Sequence, residues 1–535
     1  MAKGSAAAEA ARLHQDKKTQ SPEKAGLGVV VQLLVAAALV SIVALGIEIL
    51  TESMLTSDVP RHMAARMFVP YDSYFYSRYA GATDRDRIAV VDLGKATLDR
   101  YHATWPLTYG QHARILERIR RARPRALFVD FQFQAAREDP SVEGLRASLC
   151  AFLADGIKVF LPPGSDNSPL RPELESLRNP ANLPCFEKVS VGYEPDPADR
   201  TVWSYPLING PGEHPMPSAA LAMANAMREH PIKPQGHHTL MGLVWGSADD
   251  EQGPSWFAQS AHSAQGEASA PRRHSSDQQH SATGEEPHYC RPPTAWDVVP
   301  LRAAAMRLVG LHPDERSSCP MHKSLEAGWL TAPKTISQNE LVDEQIRGKA
   351  IFYGGSFEAN EFVNSPLHGE IPGVYLHAQA ADNLLRFGDR WRHPDIAGPL
   401  GPRWEWPMTF LAFFFVALCF IGGQELFRTL RRRIFREDNG LPRGRHRAGT
   451  TPSNGRRLRG PLAYGASELK SAIGRLGMFY LMLLIAVPMS LLLEYGFRVS
   501  VIGYSSILVF CLLGDVILRS REARETLEEH EHDIR

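Results

Sequence analysis

The chain is 535 residues long, and its 59 Lys+Arg balance 59 Asp+Glu to a formal net charge of zero. Hydrophobic residues make up 44%, charged residues 22%, and 6 cysteines are present, which excludes collagen, a disulfide-stapled miniprotein and a wholly disordered chain. The even charge argues against a strongly basic nucleic-acid binder, and the length allows about two to four domains.

A polar tail, residues 1–26, precedes an apolar segment at 27–48, within which Leu27 to Ile47 has only Gln32 as a strongly polar interruption. Twenty-odd apolar residues at about 1.5 Å each cross the roughly 30 Å hydrocarbon core of a bilayer. The long polar start and the lack of a small-x-small cleavage site mark an uncleaved signal anchor rather than a removed leader. Residues 49–406 then form the expected outer domain. Within it, 88–93 (IAVVDL) is a β-branched run and 109–123 has helical periodicity. Residues 126–133 read as a strand, 142–154 as a helix, 157–161 as a strand and 189–193 as a fourth strand. Residues 218–228 read as a helix, 350–354 as a strand and 375–387 as a final helix. This alternation predicts an α/β domain with a mostly parallel sheet covered on both faces. Residues 230–339, rich in Ser, Gly, Gln and His, interrupt the pattern and are expected to form a largely flexible insertion.

Three further apolar segments follow at 407–424, 477–495 and 499–518. The connection at 425–476 carries 13 Lys/Arg against 4 Asp/Glu, which makes it cytoplasmic by the positive-inside rule. Lys17, Lys18 and Lys24 before the first segment, with Arg519, Arg521 and Arg524 in the tail at 519–535, place both termini on that side as well. Trp404 and Trp406, ahead of Pro407, suit an outer aromatic belt. The expected protein has four transmembrane α-helices, sits in a bacterial inner membrane and holds residues 49–406 outside.

Ligands of parallel α/β sheets sit beyond the carboxyl ends of the strands. Asp92, Asp130, Gly354 and Gly355 occupy those ends and are candidate ligand-binding residues. The two aspartates, read as ends of adjacent strands, also suit a divalent cation, although Gly94 removes the second carboxylate of an Asp-x-Asp phosphohydrolase motif. Nine histidines between His230 and His322 show no fixed ligand spacing, and no metal site or cofactor is expected. No phosphate loop, nucleophile elbow or zinc-protease helix is present, so no catalytic residue is assigned and no enzyme is expected. Cys150, Cys185, Cys290 and Cys319 lie in the outer segment, where four cysteines allow three connectivities. Pairing Cys290 with Cys319 would close a loop of about 30 residues. Arg431, Arg432 and Arg433 beside Leu430, Ile434 and Phe435 suit anionic headgroups or a docking partner.

Several runs carry a resemblance. VVDL at 90–93, Trp105-Pro106 and His112-Ala113 resemble the start of the CHASE type 2 domain, a bacterial extracytoplasmic sensory module. FYGGS at 352–356, Ser365-Pro366 and PGVYLHAQAADNLL at 372–385 are more specific, and Trp245-Gly246 and Cys319-Pro320 resemble a subgroup. The layout of one span before the domain and three after it is similar too. The chain departs from the family pattern at Gly94, at Leu107 to Gly110, and at Glu361, where an aspartate is usual. The resemblance implies sensing, with Glu361 and His377 added as ligand candidates. Relatives typically continue into a kinase or cyclase, whereas here 17 residues follow the last span. The expected function is a receptor-like sensor that binds a small periplasmic molecule or envelope component and signals to a separate cytoplasmic protein. The alternative is a scaffold holding a periplasmic protein in an envelope complex. Expected partners are membrane lipids, that ligand, a cytoplasmic signalling or envelope protein and a second copy of the chain, but no nucleic acid.

Overall fold

The computed structural model describes residues 86–394 except for 136, 165–168, 198, 210–214, 235–238, 249–318, 333 and 357–361. It also describes scattered positions at 34–42, 65–77 and 407–418, and Arg498. The chain divides into two compact units, one made of Asp58–Gly401 with Phe497–Ser505 and the other of Met1–Ser57, Pro402–Gly496 and Ser506–Arg535.

The larger unit is built on a six-stranded sheet whose paired strands all run parallel. In chain order its strands are β1 (Ile88–Leu93), β2 (Ala126–Val129), β3 (Lys158–Leu161), β4 (Glu187–Lys188), β9 (Lys323–Glu326) and β10 (Ala350–Gly355). They lie side by side as β4-β3-β2-β10-β1-β9. Short antiparallel pairs join β5 (Ser204–Pro206) to β8 (Leu240–Gly242), β6 (Ile208–Asn209) to β7 (Met216–Pro217), and β11 (Phe362–Ser365) to β12 (Gly369–Pro372). Every residue of β1 and β10 is buried, which is why both read as unbroken apolar runs: a central parallel strand has no solvent face.

Side-chain alternation divides the core in two. Ile88, Val90, Phe128 and Phe352 point to one face, where α5 (Ala219–Met227) and α8 (Gly373–Phe387) cover them. Ala89, Val91, Val129 and Ile351 point to the other, beneath α2 (Tyr109–Arg121) and α3 (Val142–Ala154). Helix α2 begins in a capping box, in which Thr108 accepts from Gln111 N–H while the Gln111 side chain accepts from Thr108 N–H. Its buried Tyr109, His112, Leu116 and Ile119 recur at helical spacing. A disulfide ties Cys150 on α3 to Cys185 just before β4. Cys319 is disulfide-bonded as well, and its expected partner Cys290 lies outside the described residues.

Four expectations are corrected. The strand expected at 126–133 stops at Val129, and the fourth strand lies at Glu187–Lys188 rather than 189–193. The expected insertion at 230–339 is folded at both ends. Residues 240–248 supply β8 and the buried Val244 and Trp245, and residues 319–339 supply edge strand β9, helix α6 (Ala327–Thr331) and the start of α7 (Ile336–Ile346). Aliphatic residues inside these two flanks let them join the core although the surrounding composition is polar. Last, β10 separates β1 from β2, so Asp92 and Asp130 are not on adjacent strands.

Among the described residues no helix is long and apolar enough to cross a membrane. The four apolar segments and Arg431, Arg432 and Arg433 lie almost wholly outside those residues. The few positions described at 34–42 and 407–418 are helical, and Phe410 and Phe414, one turn apart, stack at 6.3 Å.

Candidate functional site

Register brings the strand-end residues level. Asp92 pairs with Gly354, and Asp130 N–H donates to the Tyr353 carbonyl at 2.7 Å. Counting alternately from Val90, Phe352 and Phe128 puts Asp92, Gly354 and Asp130 on the α8 face of three neighbouring strands. Gly354 is where α8 comes down on the sheet. A Cβ there would lie 2.6 Å from Val374 Cβ, 2.8 Å from Val374 Cγ2 and 3.2 Å from Asp130 Cβ. Only glycine lets the first turn of α8 and the Asp130 Cβ share this space.

One turn further along α8, His377 faces Asp130, with Nε2 4.0 Å from Oδ2. Its Nδ1 is 2.7 Å from the Tyr205 hydroxyl of β5. The direction of this bond follows the imidazole tautomer, and with the phenol donating, Nδ1 is the acceptor. The imidazole hydrogen then sits on Nε2, toward Asp130. The Phe128 ring meets the imidazole edge-on at 5.4 Å. The result is a row of Tyr205, His377 and Asp130 across the carboxyl end of the sheet.

Burial sets the charges of this row. Desolvation pushes Asp130 up to about 7 and His377 down to about 3. It also raises Tyr205, to which the Asp130 charge adds. Tyr193, half-buried beyond β4, is raised first by burial and then by the Asp130 carboxylate, which places its phenol near the same group. Asp92 is fully buried, and Ser356, just past Gly355, buries a hydroxyl that has no hydrogen-bond partner among the described residues. Near pH 7 the row therefore holds a neutral imidazole, neutral phenols and a carboxyl close to half ionised.

Of the expected ligand residues, Asp92, Asp130, Gly354, Gly355 and His377 lie at one end of the sheet, and Glu361 lies outside the described residues. Asp92 and Asp130 stand two strand spacings apart, about 10 Å. Ligands of one cation sit about 2.3–2.6 Å from it, so the pair is too wide to chelate a single ion. Among the described residues no cluster of His, Cys, Asp and Glu is placed to hold a metal. Tyr205, Tyr193 and Ser356 were not foreseen. Tyr205 comes from a short hairpin and Tyr193 from an irregular segment, and neither carries a local signal of its place.

His112 lies on the opposite face. Its Nδ1 is 2.9 Å from the Tyr353 hydroxyl, Phe131 and Phe133 flank it, and burial pushes it down to about 3. It is a satisfied core residue.

A second polar cluster sits at the far end of α8. Tyr76, in the helical stretch at 65–77, donates to Asp382, and Arg386 approaches the same carboxylate at 2.9 Å. Asn383 donates to Tyr76 Oη at 3.0 Å and to the Val244 carbonyl at 2.9 Å. Close by, the buried Arg392 grips both oxygens of Asp72 at 2.8 Å. His393 N–H donates to the Arg498 carbonyl at 2.8 Å.

Gly354→Ala is expected to cost about 1–3 kcal/mol by overpacking, measured by chemical unfolding. Val374→Ala in the same chain should recover part of that loss. Purely additive losses would remove the contact as the cause.

A profile of the CHASE2 domain matches residues 36–422. No curated protein and no solved structure matches the chain. With the profile spanning well over half of the sequence, the chain belongs to the CHASE2 domain family, a family of sensory domains.

Proposed function

We propose that this protein is a membrane-anchored receptor. Its α/β unit faces the periplasm and takes a small molecule or envelope component at the row formed by Asp130, His377 and Tyr205. The observation that carries the reading is α8 itself. Its first turns meet Gly354 and Asp130, and its last turns hold Tyr76 through Asp382 and Asn383. One helix thus joins the candidate pocket to the segment that follows the first apolar stretch. Arg392, shortly before the second stretch, is fastened to that same segment through Asp72. Pocket occupancy can therefore bias the spans, whose movement a cytoplasmic signalling partner reads.

Three features support the four-span arrangement. The loop at 425–476 is arginine-rich. Arg498, between the third and fourth apolar stretches, bonds to His393 within the same compact unit as the sheet. Val35, Ile42 and Leu411 on helical positions are 53%, 57% and 55% exposed, as lipid-facing residues are.

Alkaline phosphatase fused after residue 230 should be active in cells, and fused after residue 445 inactive. The reverse pattern overturns the topology. Cross-linking the full chain in its membrane should then recover a cytoplasmic kinase or cyclase. A stoichiometric periplasmic protein instead favours the scaffold.

A further inference from the structure

The side chain of Asp130 keeps 20% of its surface accessible at the mouth of the site. The groups facing it are His377 from α8, Tyr205 from β5, Tyr193 from the segment after β4 and, across Gly354, Asp92 from β1. None is a cation, since the imidazole is neutral there. Among the described residues no lysine or arginine bears on Asp130, His377, Tyr205 or Tyr193, as the causes of their shifts show. A desolvated carboxylate without a positive partner is costly, and an asparagine would fill the same space without the cost. Three other buried carboxylates have a cationic partner: Asp72 with Arg392, Asp382 with Arg386 and Asp139 with Arg137. Asp130 departs from these three, with part of its side chain accessible beside the half-buried Tyr193.

Resting on the sensory pocket described above, we propose that the site recognises its ligand through a protonated or quaternary amine, with Asp130 as the counter-ion. The half-buried Tyr193 ring beside the carboxylate suits such a cation, and His377 Nε2, 4.0 Å from Asp130, lies at the same place for a polar group on the rest of the ligand. An arriving cation favours the ionised carboxylate, so binding expels the proton that Asp130 holds for about half the time at pH 7. Affinity is therefore full above pH 7 and falls as pH drops through it, becoming about tenfold weaker at pH 6 than at pH 8.

The test titrates the detergent-solubilised full chain with tetramethylammonium, ethanolamine and putrescine chlorides, and with sodium acetate and phosphate, at matched ionic strength. Thermal unfolding at pH 8 and pH 6 is the readout. At least one amine should raise the midpoint of the wild type, about tenfold more amine should be needed at pH 6, and Asp130→Asn should abolish the effect. Asp130→Asn should fold at least as well as wild type at pH 8, since it removes a desolvated charge. Glu143→Gln, altering an exposed carboxylate on α3, should keep the full response. An amine effect that survives Asp130→Asn, or no effect from any amine, overturns the assignment. If acetate or phosphate stabilises the wild type and Gly354→Ala weakens that effect, the amine falls and the pocket stands. If no probe acts, the amine again falls, and the receptor is judged on the fusion and cross-linking results.

Discussion

Asp72→Ala strips about 3–5 kcal/mol from the stability of the large unit. The side chain of Arg392 is 2% exposed and that of Asp72 6%, and Arg392 Nη1 bonds both oxygens of that carboxylate at 2.8 Å. Deleting the acid leaves the arginine head buried beside the Phe387 ring, 5.4 Å away, without this carboxylate. Replacing both partners, Asp72→Ala with Arg392→Met, removes the stranded charge and should recover more than half of the loss, because an apolar pair can replace a buried ion pair at little cost. Urea unfolding of the detergent-solubilised chain measures both. A single-mutant loss below about 1 kcal/mol, the range of surface ion pairs, would show that this contact does not hold residues 65–77 in place.

The second large effect belongs to the Cys150–Cys185 bridge. It closes a sequence separation of 35 residues that contains β3 and the short helix α4 (Pro172–Glu175). Loop entropy for such a closure is about 4 kcal/mol. Cys150→Ser with Cys185→Ser should lose that amount, and reducing the wild type with dithiothreitol should reproduce it. An unfolding midpoint insensitive to both treatments would mean that the packing of Phe152, Phe186 and Leu174 already fixes the loop. Cys185 is buried and Cys150 partly so, so the reduction arm needs mild denaturant to reach the bridge.

What the sequence displays follows from how local each cause is. β1, β10, α2, α3, α5 and α8 were legible because each buries a continuous run or one helical stripe, and that pattern is written in neighbouring residues. β9, α6 and the start of α7 were hidden inside a polar insertion, and Lys323–Glu326 is an edge strand with one buried side chain. β4 is two residues long, too short for any periodicity. The wrong adjacency of Asp92 and Asp130 has a different origin. It depends on β10, from more than two hundred residues downstream, entering between β1 and β2, and strand order is not a local property.

The candidate site divides in the same way. The five residues at strand ends and on the family-like helix could be named in advance, while Tyr193 and Tyr205 arrive through irregular chain that no pattern marks. The distal cluster did leave a trace. Gln379, Asp382 and Asn383 are polar at spacings of three and four on an otherwise apolar helix, the signature of a polar seam that must meet partners inside the protein. Its partners, Tyr76 and Val244, lie 307 and 139 residues away from Asn383, so the seam was visible and its occupant was not.

Helix α8 has 15 residues, a rod about 22 Å long. Pivoting it by about 5° where Val374 rests on Gly354 carries Arg386 sideways by about 2 Å, the scale of helix shifts that switch known regulatory proteins. The fulcrum is the residue that has no side chain to cushion it, and the load at the other end is the strut at 65–77. In mechanical terms the glycine is a bearing, and its hardness fixes how much of a movement at Asp130 reaches Arg386 and Tyr76.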